Sequence, residues 1–575
     1  MLLRRTLIAT ACVASAITLY ACGGNDDSSA SNSTTPSSSP SSTVSAQDAL
    51  QTKTPIKHLV VIYGENVSFD HYFGTYPNAA NLAGEPAFTP AANTQTDIDN
   101  LGPATSALRT ANGNQTNPAN GSDASGPFRL DRTQAASADQ NHAYTAEQQA
   151  YDNGAADLFP LYTGRATPGG VGGFGTKGQV MGYYDGNTVT ALWNYASHYA
   201  MSDNAFSDTY GPSTPGALEL VSGNTNGMQI VKTSKASSTK LATSYYVNDG
   251  QSGYTMINDV DPGYDVCSST TDQAMMQGKN IGDLLNAQKI TWGGFMGGFN
   301  LSTKNADGST GCARKTMATA VGAATNDYIP HHNWFQYFAS TANPNHTRPS
   351  SIAAIGSSLE TDGKTAEPAN HQYDSDDFFA AVQAGNFPSV SFLKAPAAQD
   401  AHAGYSDPLD EQLFVTKVVN FLMQQPDWKN TAVVVTYDDS DGWYDHKYVT
   451  PTHASFDAVD QLNGDGVCGT GSASVPLGVT GKPVNGRCGP GTRIPFLLIS
   501  PWAKTNYVSH VPITQASVAR FIEDNWLGGT RLGGGSFDAT AGDMSDLLNL
   551  TGSANTTALF LDPSVGTPLS AAPAN

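Results

Sequence analysis

The sequence predicts an α/β fold: a central, largely parallel β-sheet flanked by helices and interrupted by long loop insertions. Three observations lead there. Short apolar runs of the kind that parallel strands bury on both faces recur at Ile56–Tyr63, Ile290–Phe295, Ser389–Lys394, Ala432–Tyr437 and Ile494–Ser500. One-sided helical stretches follow: Leu409–Gln424 sets Phe414, Val418 and Leu422 at i, i+4 and i+8, and Thr514–Trp526 turns Val518, Phe521 and Ile522 inward with Thr514 as its N-cap. Gly (57) and Pro (32) are plentiful while charged residues are only 14%, which suits many ordered connections on one scaffold.

Along the chain, MLLRRTLIATACVASAITLYAC places Arg4-Arg5 before an apolar stretch shorter than a membrane span, so residues 1–21 read as an export signal. The stretch LYAC, Leu19 to Cys22, is similar to a bacterial lipoprotein signal despite the bulky Tyr20, and makes lipidated Cys22 an expected membrane tether. Lipidation there implies an outer-membrane or periplasmic lipoprotein; plain cleavage near Ala21, leaving a secreted protein, is the alternative. Residues 22–51 are Ser- and Pro-rich with almost nothing apolar to bury, and are expected to be a disordered stalk. Residues 52–550 read as a single catalytic domain, with poorly periodic insertions near 80–130, 225–275 and 300–370 that wall a pocket. The small, polar end from Thr551 to Asn575 is expected to fray.

Of six cysteines, Cys12 and Cys22 fall in the leader. The remaining four have three connectivities, and sequence proximity favours Cys267–Cys312 and Cys468–Cys488. With 29 Lys plus Arg against 50 Asp plus Glu, the net charge of −21 argues against a nucleic-acid partner.

The chemistry-bearing residues follow the strands. The first strand runs into Glu65-Asn66 and the fourth into Asp438-Asp439, and strand ends of open α/β sheets are where ligands are held. These are hard oxygen donors, suited to one divalent ion of the Ca, Mg or Mn class. In YGPSTPG, Pro212 and Pro215 stiffen the backbone around Ser213, and a helix starting there would turn its N-terminus toward an anion. Thr214 is the rival hydroxyl, and an N-cap role is the plainer reading of Ser213. Histidines stand near aromatic and acidic residues at His142, His331, His332, His402 and His446, and several converging on one pocket could hold a phosphate and protonate a leaving group. Together these types suit metal-assisted hydrolysis of a phosphoric ester, which needs a nucleophile, positive charge on the phosphoryl oxygens and a proton for the leaving alkoxide.

The segments GENVSFDHYFG, NHAYTAEQ, YGPSTPG, HHNWFQYF, HAGYSDP, TYDDSDGWYDH and RIPFLLISPW, in this order between Thr54 and Trp526, resemble the bacterial phosphoesterase family that unites secreted acid phosphatases with phosphatidylcholine-type phospholipases C, relatives of alkaline phosphatase. The resemblance implies an alkaline-phosphatase-like fold, a single metal and a covalent phosphoseryl or phosphothreonyl intermediate. It implies Glu65, Asn66, Asp438 and Asp439 as metal ligands, Ser213 as nucleophile and further ligand, and His142, His331, His332, His402 and His446 around the phosphate. Phospholipase members typically carry Thr at the nucleophile and continue into β-rich C-terminal domains. Ser213 and the end soon after Trp526 therefore point to a broad-specificity acid phosphatase acting on small phosphate esters. A phospholipase C acting on a phospholipid headgroup is the alternative, and a non-catalytic surface lipoprotein the third reading. The CxPxR motif of the related sulfatases is missing, as is an aspartate cluster for a second metal.

Overall fold

The apolar run after Lys57 forms the middle of the main sheet. The computed structural model describes residues 49–231, 241–270 and 273–573. In chain order the main-sheet strands are β1 (His58–Gly64), β2 (Ala200–Ser202), β3 (Trp292–Met296), β4 (Gln372–Asp374), β5 (Val390–Lys394), β6 (Thr431–Tyr437), β7 (Phe496–Ile499) and β8 (Tyr507–Ser509). Their spatial order is β4-β3-β5-β1-β6-β7-β2-β8. All run in one direction except β7, which is antiparallel to both β6 and β2. Every residue of β1, β5 and β6 is buried, as the unbroken apolar runs require of strands covered on both faces.

The five strands expected from apolar runs are β1, β3, β5, β6 and β7, with ends shifted by one or two residues. The three others, β2, β4 and β8, have three residues each, too few to make a run, and they lie at or near the sheet edges. The insertion near 225–275 is more regular than its pattern suggests. It holds most of a second, five-stranded sheet from Asn226–Ile230 to Gln273–Met276.

Among the helices, α1 is Tyr144–Tyr151, α2 Thr190–His198, α3 Ser213–Ser222, α4 Pro408–Met423 and α5 Ala516–Trp526. Phe414, Val418 and Leu422 of α4 and Val518, Phe521 and Ile522 of α5 are buried in the main core as their spacing demands. Thr514 does not cap α5. It lies in a two-residue strand paired with Ala205–Phe206, and the first N–H of α5, at Ala516, donates instead to Asp208 Oδ2 at 2.8 Å. A carboxylate some 300 residues away in sequence thus does the capping, which local pattern cannot reveal. Both disulfides, Cys267–Cys312 and Cys468–Cys488, are present.

The export signal, Cys22 and the stalk up to residue 48 lie outside the described residues. The C-terminal stretch corrects the expectation of fraying. Leu561 is fully buried, the Asn420 side chain exchanges two hydrogen bonds with its backbone, and Asn194 Nδ2 donates to the Gly566 carbonyl at 2.9 Å. One leucine and two asparagines on α2 and α4 therefore zip a polar segment onto the domain. Leu561→Ala is expected to cost about 2–5 kcal/mol, and a thermal midpoint unchanged from the parent would show that this segment contributes nothing to the folded unit.

Candidate active site

Three neighbouring strands deliver the site. β5, β1 and β6 pair in parallel, Ile62 opposite both Leu393 and Val435, so their carboxyl ends emerge side by side. β5 ends on Lys394, β1 runs on into Glu65-Asn66, and β6 into Asp438-Asp439. The turn after β1 is tight: Asn66 has φ 63°, a left-handed conformation that asparagine tolerates better than most residues. Its N–H donates to Asp438 Oδ1 at 2.9 Å, and the same oxygen accepts the Asp439 N–H at 2.8 Å.

Helix α3 packs its first turn directly on this edge. A Cβ at Gly216 would stand 2.1 Å from the Asp438 carbonyl oxygen, so the approach needs glycine. The Tyr63 hydroxyl donates to the Gly216 carbonyl at 2.8 Å, and the Gln515 amide donates to the Tyr63 hydroxyl at 2.9 Å and the Asp438 carbonyl at 2.5 Å. Pro212 occupies the N-cap position, so Ser213 is the first helical residue and its hydroxyl has no capping role. Ser213 Oγ lies 3.3 Å from Asp439 Oδ2 and 3.4 Å from Asn66 Oδ1. Thr214 faces elsewhere, its hydroxyl donating to the His331 carbonyl at 3.1 Å and its N–H to Asp259 at 2.9 Å.

Glu65, Asn66, Ser213, Asp438 and Asp439 thus meet, each at most 1% exposed. Glu65 Oε2 and Asp438 Oδ2 are buried without a hydrogen-bond donor. Among the described residues, Lys394 at the end of β5 is the ammonium that ion-pairs with Glu65, through Oε1. Burial, reinforced by Asp438, pushes the Glu65 and Asp439 carboxyls well above the usual range. Burial also lifts Asp441 to about 7 and Asp400 to about 8. So many acids in a dry volume cannot all ionise without a further cation. The unpartnered oxygens, together with carboxylate, amide and hydroxyl donors, fit a metal ion.

Four of the five histidines singled out by sequence join this group. His332 Nδ1 is 3.2 Å from Glu65 Oε1, and the His331 ring lies against it at 4.5 Å between centroids. His402 stacks parallel to His332 at 6.2 Å and meets His142 edge-on at 6.1 Å. His142 Nδ1 is 3.1 Å from Asp441 Oδ1, the oxygen that also accepts the Asn66 side-chain N–H at 3.0 Å. Burial alone would lower the His142 pKa, but Asp439, Asp441 and Asp139 outweigh it and raise it. At His331, Asp261 and Asp259 likewise overcome burial. Burial lowers His402 to about 4, and burial with the neighbouring His331 holds His332 well below the usual imidazole value.

His446 is not part of this group. Both its nitrogens are engaged elsewhere, Nδ1 with Asp70 at 2.6 Å and Nε2 with Asp99 at 2.9 Å, in a network that Arg493 completes through Asp70 and Asp445. Its place in WYDH, seven residues after Asp439, suggested proximity, but the intervening chain turns away toward Ser68, whose hydroxyl donates to the Tyr444 carbonyl. Conversely, sequence reading passed over Lys394, Asp400 and Asp441. The signals were present: Lys394 ends an apolar strand, Asp400 stands two residues before His402, and Asp441 two after Asp439. His346 and His371 are structural, the first bonded to Asp265 at 3.0 Å and the second stacked on Trp292 at 4.5 Å.

A mostly parallel sheet whose central strand ends gather acids, a helix-terminal serine and a wall of histidines is an arrangement suited to the hydrolysis of phosphoric esters. The chain belongs to the phosphoesterase family, whose model matches residues 56–527. Phospholipase C A of Mycobacterium tuberculosis is 24% identical over 468 residues, 78% of this chain and 69% of that protein. A non-hemolytic phospholipase C of Pseudomonas aeruginosa is 33% identical over 151 residues, 25% of this chain, so that the match spans only 21% of the relative's length. Among solved structures, an alkaline phosphatase superfamily protein of Vibrio parahaemolyticus overlaps 61% of this chain and 62% of its own at 11% identity and a TM-score of 0.26.

The Asp70–His446–Asp99 contacts carry a pH signature. Burial lowers the His446 pKa, but Asp70 and Asp99 outweigh it and raise it to about 9. A raised imidazole stabilises the fold fully below its unfolded value of about 6.5 and loses that contribution as pH climbs through about 9. The gap in thermal midpoint between the parent and His446→Gln should therefore be widest below pH 6.5 and close toward pH 9. A gap independent of pH would count against a charged His446.

Proposed function

We propose that this chain is a metal-dependent phosphatase that acts preferentially on phosphomonoesters through a covalent phosphoserine at Ser213. One observation carries the reading: Ser213 Oγ stands within 3.4 Å of Asp439 and Asn66, beside Glu65 Oε2 and Asp438 Oδ2, which are buried without donors. Glu65, Asn66, Asp438, Asp439 and the Ser213 hydroxyl would hold one divalent ion of the Ca, Mg or Mn class. Such an ion supplies positive charge to the phosphoryl oxygens and favours the ionised serine. Asp439 orients the Ser213 hydroxyl for in-line attack. His142, His331, His332 and His402 bind the phosphoryl oxygens from the opposite wall and lie where a proton can pass to the leaving alkoxide. Water then hydrolyses the phosphoserine.

Serine rather than threonine at the nucleophile supports the monoester preference. The names of the relatives favour a second reading, phospholipase C action on a phosphatidylcholine-type headgroup. Comparing p-nitrophenyl phosphate turnover with choline-phosphate release at equal enzyme separates the two. The leader through Cys22 and the two disulfides, which persist in oxidising compartments, support export and a lipid tether.

Ser213→Ala is expected to lower kcat by about three orders of magnitude or more and to leave no acid-stable phosphoenzyme. Parental turnover in that variant would sink the nucleophile assignment. Asp438→Asn is expected to lose bound metal, measured by elemental analysis, together with activity; an undiminished metal content would remove Asp438 from the ligand set.

A further inference from the structure

Glu147 takes no part in the chemistry above, yet it touches both halves of the site from behind. It lies in the first turn of α1 at 1% exposure. Its Oε2 accepts the Gly211 N–H at 2.9 Å, and its Oε1 accepts the Ser440 hydroxyl at 2.8 Å. Gly211 precedes Ser213 by two residues, and Ser440 follows Asp439 directly. One carboxylate therefore bridges the loop that presents the serine and the turn that presents the aspartate pair, segments more than 200 residues apart in sequence.

No lysine or arginine among the described residues is ion-paired with Glu147. A buried carboxylate without an ion pair is costly to desolvate, and a neutral residue would fill the same space more cheaply. Two directed acceptors are what a carboxylate offers there. Gly211 adds a second constraint: at φ 116° it holds a conformation reserved for glycine, so its N–H points where it does only while the loop keeps this shape.

The position of Glu147 is set independently of the site. Its neighbours on α1 are fastened to residues 459–461 and to Cys488 of the Cys468–Cys488 disulfide. The Tyr144 hydroxyl donates to Asp460 at 2.7 Å and accepts the Cys488 N–H at 3.1 Å, Thr145 donates to the Val459 carbonyl at 2.8 Å, and Gln148 accepts the Gln461 N–H at 2.8 Å. A frame outside the acid cluster thus fixes the point from which the serine loop and the aspartate turn are both measured.

We propose that Glu147 is a positioning residue for phosphoryl transfer, holding Ser213 Oγ in register with Asp438 and Asp439. The inference rests on Ser213 being the nucleophile. Misplacement of a reacting group by about 1 Å can cost roughly 10²-fold in rate. A glutamine can keep both contacts, accepting from Gly211 and donating to the Ser440 oxygen; an alanine keeps neither.

The test is rapid-quench measurement of phosphoenzyme formation from p-nitrophenyl phosphate by the full-length parent, Glu147→Ala, Glu147→Gln and Ser440→Ala, with inhibition by inorganic phosphate and thermal midpoints recorded alongside. Expected are a phosphorylation rate lowered about 10²-fold in Glu147→Ala, an intermediate loss in Ser440→Ala, recovery to within about tenfold of the parent in Glu147→Gln, and phosphate inhibition little changed throughout. If Glu147→Ala fails to fold, the ordering of Glu147→Gln above Ser440→Ala decides. A Glu147→Ala phosphorylation rate equal to the parent's per folded molecule, or a Glu147→Gln rate as low as alanine's, overturns the proposal. Ser213→Ala run in parallel keeps the premise separate: if that variant still forms phosphoenzyme, the nucleophile reading falls, whereas if it is inert and Glu147→Ala is fast, the positioning role alone falls.

Discussion

Acid groups crowded where water cannot reach them are the constraint around which this structure is arranged. Glu65, Asp438, Asp439 and Asp441 are each at most 1% exposed and Asp400 is 2% exposed, and among the described residues Lys394 is the lysine paired with this group. Left to itself such a cluster would protonate or force the sheet edge apart. It is held instead by contacts that do not depend on its charge: the parallel register of β5, β1 and β6, the glycine that lets α3 lie against Asp438, and the Gln515 amide that gathers the Tyr63 hydroxyl and the Asp438 carbonyl. The backbone imposes a charge arrangement that is unfavourable for stability and useful for holding a cation.

The same reasoning separates this site from the charged cluster around Arg493. Around Arg493, Asp70 and Asp445 accept from the guanidinium and His446 bridges Asp70 to Asp99, so positive and negative groups interleave. Burial pushes Asp445 only to about 6 because Arg493 stands against it. Three ligand-type residues, Asp70, Asp445 and His446, lie close enough together for a metal. Their partners already occupy one another, and a cation would have to displace the guanidinium. Acids each matched by a cation build a scaffold, whereas several acids sharing one lysine leave oxygens bare and build a site, and this is the physical reason Asp70 and Asp445 belong to the first and Asp438 and Asp439 to the second.

What was legible in the sequence follows from which interactions are local. An apolar strand ending in Glu-Asn or Asp-Asp states both its burial and its terminus, so the sheet centre and the acid edge could be read directly. The disulfide pairing and the inward faces of α4 and α5 were likewise short-range matters. What was missed is held from afar. The cap of α5 comes from Asp208, the docking of Leu561 from Asn420, and the exclusion of His446 from Asp70 and Asp99. Lys394 was overlooked for a different reason: a lysine at a strand end reads as a solvated terminus until the parallel neighbour that buries it is known.

The division of labour between sheet and loops bears on how the site would select its ester. Metal-type ligands and serine are fixed by the sheet edge and by α3, each restrained from at least two separate segments, an arrangement that favours preorganised charge stabilisation. The histidine wall is carried by insertions: His142 leads into α1, His331 and His332 sit on a single 3₁₀ turn, and His402 lies in the loop after β5. Loops tolerate change that a packed sheet does not. Substrate preference can therefore drift through the wall while the acid edge stays as it is, and likeness confined to the edge speaks to the reaction more than to the alcohol that leaves. Glu147 stands where the two parts meet, on the same short segment that brings His142 to the wall. Movement of that segment would alter substrate contacts and nucleophile geometry together, which ties this part of the wall to the chemistry it serves.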